Sequence, residues 1–341
     1  MVELKNRGIE YNFISSGQHK ETMDDILNNF SLRGPDITLY KGRDITSIFQ
    51  MIIWGIQIIV SSYSNKKKLW KNDPSGIILN HGDTFSTLLG SLIGKLHGIK
   101  TAHIESGLRS FNLFHPFPEE ITRIITFYLT DFYFTPGEKP LDNLKKFKGT
   151  KINTQLNTLY DSLRLTRHQK CDIAIPKSEY GIVSIHRFEN IFNKKRLEQV
   201  IELIEHTAVS NKLIFILHKP TLNKLEKFGL LPKLRENKNI ELRPRYSYFD
   251  FIHLLRPSKF ILTDGGSNQE ECSYLGKPCF LMRLASEREE GIGKNALIGE
   301  YKTEKLNTFL NNIKQFTKPE VNTEKSPTTI IVDHLQKLLS S

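Results

Sequence analysis

Sulfur is scarce in this chain: three cysteines, Cys171, Cys272 and Cys279, in 341 residues. None stands in a CxxC pair or at metal-ligand spacing. That excludes a disulfide framework and argues against structural zinc, so no metal is expected. The three read as packing residues in a reducing, cytoplasmic compartment. Long hydrophobic runs are missing too. The most apolar stretch, ITSIFQMIIWGIQIIVSSYS at 45–64, is interrupted by Gln50, Gly55 and Gln57. It lacks the roughly 18 uninterrupted apolar residues of a membrane span, reads as a buried helix, and gives no expectation of membrane insertion. The opening MVELKNRGIEYNF has neither the apolar core nor the small-residue cleavage site of a secretory signal. The patterns GxGxxG, GxxxxGK(S/T) and HExxH are absent. Nicotinamide cofactors, P-loop chemistry and a helical zinc site are thereby disfavoured, and no cofactor is expected. Positive charge is in excess, 48 Lys and Arg against 37 Asp and Glu, for a net +11. It is scattered in short runs (KKKLWK at 66–71, KKFK at 145–148, NKKR at 193–196) with no aromatic-interleaved stripe, so nucleic acid is not an expected partner.

What is present is alternation. The short apolar runs EYNFIS, GIILNH, TAHIE, DFYFT, YGIVSIH, KLIFILH, FILTD and PCFLMR predict strands. Amphipathic segments such as TFSTLLGSLIGKLHG, EEITRIITFYLT and KKRLEQVIELIEHTA lie between them. Strand and helix in turn predict an α/β chain with two Rossmann-like parallel sheets, and a length of 341 residues suits two domains of ordinary size. The expected boundaries are 1–165 and 176–320, with a hinge around 164–178 and a C-terminal helix within 321–341 that packs back toward the first domain. Two open sheets facing a cleft would bind a ligand outside the carboxyl ends of their strands. A doubly wound domain normally opens with a strand and a tight turn. Here LKNRGIEYNFIS leads from a helix end into a strand, so the first strand of domain 1 is expected to be missing.

Chemistry concentrates at predicted strand ends. ILNHGDTFSTLLG reads as a strand, a small polar loop and a helix capped by Asp83 or Thr84; a cap is the ordinary reading of an acid there, although Asp83 also sits at the carboxyl end of a strand. TAHIESGLRS delivers Glu105, Gly107 and Arg109 into the next loop. In HPFPEEITR a proline-bracketed turn carries Glu119 and Glu120 into a helix, whose dipole favours acids by about 0.3–1 kcal/mol. Several acids at one sheet edge repel one another and can move a carboxyl toward general acid/base range. In the second half His186, Arg187 and His218 follow strands, which suits phosphate or proton handling. FILTDGGSNQEECSYLGKPCFLMR reads strand, glycine turn, helix, Gly276 as helix stop, strand. Gly265, Gly266 and Ser267 would form an anion nest at the helix start, and Glu271, about one turn deeper, could accept both hydroxyls of a ribose.

Taken in order, HGDTFST, HIESGLRS, PFPEEITR, SIHRFEN, TDGGSNQEE and LGKPCFLMR resemble the non-hydrolysing UDP-N-acetylglucosamine 2-epimerases, over about Gly17 to Arg288. The resemblance implies a glycosyltransferase B-like fold, a UDP-sugar substrate, no redox cofactor, a homodimer, and a role in surface polysaccharide synthesis. It implies Asp83, Glu105, Glu119 and His186 as catalytic residues: Glu105 and Glu119 as proton carriers, Asp83 as their carboxylate support, His186 on the diphosphate. It also implies Arg187, Gly265, Gly266, Ser267 and Glu271 on UDP with Phe251 against uracil, and a candidate regulatory site at Gln18, His19 and His218.

The chain departs from the family pattern in three places. DSGGIQEE here reads DGGSNQEE, TERPE becomes SEREE at 286–290, and the GTRPE-like turn of the family's first strand has no counterpart. Alternative readings are a catalytically impaired UDP-sugar-binding protein, a hydrolysing relative, or an epimerase of a related acetamido sugar. A glycosyltransferase of the same architecture ranks below these, because it has no use for a pair of acids that move a carbon-bound proton.

Overall fold

The computed structural model describes residues 1–17, 20–42, 48–71, 75–113, 118–286 and 288–340. They form two compact units, Met1–Asp161 together with Glu324–Ser341, and Ser162–Thr323. Both units are α/β.

In the first unit β1 (Ile14–Ser15) pairs in parallel with β2 (Ile37–Thr38). A separate four-stranded parallel sheet contains β3 (Ile77–His81), β4 (Lys100–Ile104), β5 (Phe132–Thr135) and β6 (Thr150–Asn153), neighbours in that order. Helix Phe85–His97 crosses from β3 to β4 and helix Glu119–Leu129 from β4 to β5. β5 is buried throughout, as a central strand covered on both faces must be. Helix Pro327–Ser340 belongs to this unit and sets Ile331 and Leu335 against Ala102, Phe132, Phe134 and Ile152. Trp54 and Ile58 of helix Ile48–Ser64 pack on Leu89 and Ile93 of helix Phe85–His97, each such buried side chain contributing about 1.5–3 kcal/mol. Among the described residues no strand precedes β1, which follows helix Val2–Asn6.

The apolar stretch at 45–64 corrects one expectation. It is helical from Ile48 to Ser64 but buried on one face only, and Phe49, Ile52, Ile53, Ile56, Val60 and Tyr63 stand exposed in a stripe at helical spacing. The run is apolar on all sides, so its hydropathy suggested a cover on both faces, whereas the cluster around Trp54 takes only one. Among the described residues no helix is long and apolar enough to cross a membrane.

The second unit holds one six-stranded parallel sheet: β7 (Gly181–Ser184), β8 (Leu213–Leu217), β9 (Ile240–Pro244), β10 (Phe260–Thr263), β11 (Cys279–Leu281) and β12 (Ala296–Ile298). Their spatial order is β12-β11-β10-β7-β8-β9. The chain winds outward from β7 to β9, then returns to the other side of β7 as β10. Loops leaving β7 and β10 therefore diverge at a topological switch point, the usual ligand position in an open parallel sheet. Val183, Phe215, Phe260, Leu262 and Phe280 form the core with Leu197, Ile201, Ile204, Leu306 and Phe309 from the helices. Helix Gly266–Leu275 stops at Gly276, which adopts a left-handed φ of 64°. A Cβ there would lie 2.0 Å from the Lys318 carbonyl oxygen, so only glycine fits.

Candidate active site

The carboxylates of the first unit are organised by two arginines. Helix Glu119–Leu129 starts after Pro118 and faces the loop beyond β3. Arg123, nearly fully buried, donates through Nε to Asp83 Oδ2 at 3.1 Å and through Nη2 to the same oxygen. Its Nη1 donates to Glu120 Oε2 at 3.1 Å. Glu120 is wholly buried and also accepts from Arg109 Nε and from the Ser110 amide at 3.0 Å. The helix-dipole reading of Glu120 is thus incomplete: the side chain anchors the loop after β4 to the helix. Of the two expected caps, Asp83 and Thr84, the structure takes the second. Thr84 occupies that position, with its side chain 3.3 Å from Thr87 Oγ1, and Asp83 serves the arginine.

Glu105 immediately follows β4 with a left-handed backbone, φ 65°, which costs a residue bearing a Cβ about 1 kcal/mol or more. The turn aims its largely buried carboxylate back across Gly82, with Oε2 3.8 Å from His81 Nε2. His103, two residues earlier on β4, bonds through Nε2 to the Gly82 carbonyl at 2.7 Å. Burial holds its imidazole neutral, down to about 4, so Nε2 carries the proton it donates and the Gly82–Asp83 turn is fixed. Gly82, Asp83, His103, Glu105, Leu108, Arg123 and Phe127 line one small pocket. The structure therefore brings Asp83 and Glu105 together. Glu119 sits at the first position of its helix, half-buried, one residue before the Glu120 anchor.

The second unit places its expected residues at the switch point. Asp264, fully buried after β10, accepts from the His186 amide at 3.0 Å, the Arg187 amide at 3.0 Å and Asn190 Nδ2 at 2.8 Å. One carboxylate thus ties the loop after β7 to the loop after β10. His186 Nδ1 lies 3.5 Å from Asp264 Oδ1, and its ring centroid 4.7 Å from that of His218. His218 is 3.3 Å from Ser184 Oγ through Nε2, and burial lowers it to about 4, with His186 and Arg245 adding to the effect. Gly265 caps helix Gly266–Leu275; a Cβ on it would come within 2.9 Å of His186 Cε1 and 2.8 Å of Asn268 Oδ1. The amides of Gly266, Ser267 and Asn268 precede the first intrahelical bond, Gln269 N to Gly265 O at 3.1 Å, and form the positive end of the helix.

Glu271 lies beneath that end, 3% exposed. Burial pushes its carboxyl up to about 7, opposed by the Asn268 amide and by Arg288. Arg187 is half-buried, 3.8 Å through Nε from Glu189 Oε1. Phe251 is half-buried on helix Tyr248–Leu255, whose start Ser247 caps by accepting from the Asp250 amide at 3.2 Å. Gln18 and His19 lie outside the described residues, as does the turn at 115–117. Cys272 and Cys279 are buried free thiols, and no group of three or more metal-binding side chains occurs among the described residues.

Sequence reasoning missed His103, Asp264, Asn268 and the arginine network. Only Asp264 carried a signal, as the acid that immediately follows β10 and precedes the glycines.

Two parallel α/β units, one presenting clustered carboxylates and the other a glycine-rich helix start at a switch point, define an enzyme of the glycosyltransferase B-like fold. Residues 2–328 match the family model described as UDP-N-acetylglucosamine 2-epimerase; the chain belongs to that family, a family of isomerases. It is similar to the UDP-N-acetylglucosamine 2-epimerase of Methanocaldococcus jannaschii, 32% identical over 89% of this chain and 84% of the relative. To the enzyme of the same name from Campylobacter jejuni it is 32% identical over 88% and 81%. A solved structure of the M. jannaschii epimerase in complex with UDP-GlcNAc and UDP superposes with a TM-score of 0.78 at 26% identity, covering 98% of this chain and 94% of that one. The Neisseria meningitidis epimerase bound to UDP-GlcNAc gives 0.78 at 26% identity, over 94% and 90%.

Proposed function

We propose that this chain interconverts UDP-N-acetylglucosamine and UDP-N-acetylmannosamine by eliminating and re-adding UDP. A base removes the proton on carbon 2, and the electron pair forms a carbon 1–carbon 2 double bond as the anomeric carbon–oxygen bond breaks. UDP departs with that bonding pair. Delivery of a proton to the other face of carbon 2, with return of UDP oxygen to carbon 1, completes the inversion. Two acid/base groups serve the two faces, for which Glu105 and Glu119 are the candidates, with Asp83 as carboxylate support. His186, Arg187 and the helix start at Gly265, Gly266 and Ser267 would hold the diphosphate as negative charge develops. Glu271 would take the ribose and Phe251 the uracil. His218, beside His186, is the described member of the candidate regulatory set.

The observation that carries this reading is Glu105, held in a strained left-handed turn beside Asp83 in one pocket. Incubation with UDP-N-acetylglucosamine in deuterated water tests it. Deuterium should enter carbon 2, and both UDP-sugars should appear. UDP binding without exchange would identify a binding protein instead, and release of free N-acetylmannosamine a hydrolase.

The reading includes a cytoplasmic homodimer that supplies surface polysaccharide synthesis. The exposed stripe on helix Ile48–Ser64 supports a second copy as partner. Phe49 is 72% exposed, Ile56 58% and Val60 59%, and the stripe amounts to on the order of 600 Å² of apolar surface. With its rim it approaches the roughly 800 Å² that each partner buries in a standard interface. Sedimentation velocity should show a dimer that Ile56→Asp converts to monomer; a monomeric parent chain would defeat this part.

A further inference from the structure

Helix Gly266–Leu275 carries a polar side chain, Asn268, between its start and Glu271. Asn268, its third residue, is half-buried and reaches in two directions. Its Oδ1 accepts from Thr263 Oγ1 at 3.0 Å, and its Nδ2 donates to Glu271 Oε2 at 2.9 Å. Thr263 Oγ1 in turn accepts from the Gly265 amide at 3.0 Å and lies 2.9 Å from the Ser184 carbonyl oxygen. A chain of hydrogen bonds thus runs from the Gly265 amide, through the Thr263 hydroxyl at the end of β10 and the Asn268 amide, to the Glu271 carboxylate.

A buried carboxylate stays ionised only if donors replace its water. Asn268 supplies one from Glu271's own helix. Arg288 acts from the loop that follows β11, although its Nη1 is committed to Glu270. Tyr248 on helix Tyr248–Leu255 and the Cys272 thiol also feel the Glu271 charge, and both keep their protons. An ionised carboxylate offers about four acceptor sites, of which Asn268 takes one, leaving room for a vicinal diol.

We propose that Asn268 is a positioning residue of the nucleotide site, fixing the Glu271 carboxylate in the orientation and ionised form that accept both hydroxyls of the ribose. The proposal rests on the reading of Glu271 as the ribose contact. Loss of the amide would favour protonation of Glu271, turn one acceptor into a donor, and loosen the side chain. Because removing a group that lowers a carboxyl's titration point raises it, more alkaline solution would be needed to restore the anion.

Calorimetric titration of the full chain with UDP and with 2′,3′-dideoxy-UDP, from about pH 6 to about pH 9, tests this. Asn268→Leu should weaken UDP roughly tenfold near neutrality, the cost of one hydrogen bond to a charged group, and the gap should narrow as pH rises. Dideoxy-UDP should bind the parent chain and the variant alike. Asn268→Asp keeps the size but sets an acceptor against Glu271; it should act in the same direction, and it serves if the leucine variant fails to fold. Equal losses for the two nucleotides would reduce Asn268 to a structural role and overturn the proposal. If Glu271→Gln weakens UDP while neither Asn268 variant does, the proposal fails and the nucleotide reading stands. If Glu271→Gln leaves UDP binding unchanged, the ribose reading itself fails.

Discussion

Replacing Glu120 by glutamine should unfold the first unit more readily than any other single-atom change in its acid cluster. Glu120 has no exposure and accepts three charge-assisted or backbone bonds, from Arg109, Arg123 and the Ser110 amide. Glutamine fills the same space, but its amide nitrogen must face a guanidinium, and Arg109 and Arg123 lose their shared anion. Breaking a buried ion pair from one side costs about 3–5 kcal/mol; the lower end applies because one carbonyl acceptor survives and Arg123 keeps Asp83. About 3 kcal/mol corresponds to a fall of roughly 6–12 °C in midpoint for a unit of this size. The assay is built into the chain. Its two tryptophans, Trp54 and Trp70, both lie in the first unit, so urea unfolding followed by tryptophan emission reports that unit alone. Acid adds a second check. Burial pushes the Glu120 carboxyl up, but the Ser110 amide and the two guanidiniums outweigh it and hold it below the ordinary carboxylate value. A depressed carboxylate contributes stability above its unfolded pKa and loses it as pH falls through the folded value. The difference between parent and E120Q should therefore be full at neutral pH and shrink under acid conditions. A variant within about 0.5 kcal/mol of the parent at neutral pH, the range of an ordinary surface substitution, would refute the anchor role.

Glu105→Gly should relax the left-handed turn and stabilise the first unit by roughly 1 kcal/mol, read by the same tryptophan signal, while deuterium incorporation into substrate is lost. Glu105→Gln should lower turnover by about 10²-fold or more while leaving UDP affinity within a factor of about two, measured by exchange and calorimetry. Gly265→Ala would press a methyl group against His186 Cε1 and Asn268 Oδ1, and should weaken UDP about tenfold or more. His103 is held neutral down to about 4, so the unfolded chain takes up a proton that the folded unit refuses. First-unit stability should fall as pH drops from roughly 6.5 toward 4, and His103→Gln should flatten that slope.

The strands legible in the sequence were those with dense apolar runs, such as Phe132–Thr135 and Leu213–Leu217, because a buried parallel strand must be apolar on both faces. The strands that escaped are short or peripheral. Ile37–Thr38 is two residues long, Thr150–Asn153 buries only Ile152, and Ile240–Pro244 and Ala296–Ile298 form the two edges of their sheet. Position along the chain could show that Asp83, Glu105 and His186 follow strands. It could not show that Glu120 pairs with Arg109 at one separation and Arg123 at another, nor that Asp264 reaches amides some 78 residues away. Such pairings depend on which strands become neighbours, and periodicity carries no information on that. The stripe on helix Ile48–Ser64 failed for a related reason: hydropathy states a preference for cover without naming what supplies it.

The two units treat buried carboxylates in opposite ways, and the proposed chemistry explains the difference. In the first unit Glu120 is neutralised by arginines on both sides, which leaves Asp83 and Glu105 to face the pocket as its acids. An unpaired Glu120 beside them would raise the cost of ionising all three. In the second unit Asp264 meets mainly amide donors, and Glu270 pairs with Arg288 and Tyr274. Those donors quench negative charge directly under the helix start that, on the proposed reading, would hold the diphosphate. Glu271 is the exception, titrating near neutrality with Asn268 as its nearest donor. A carboxylate left that close to its proton is poorly justified as a structural anchor, but it suits a group that must present acceptors to an incoming diol without repelling the phosphates that arrive with it.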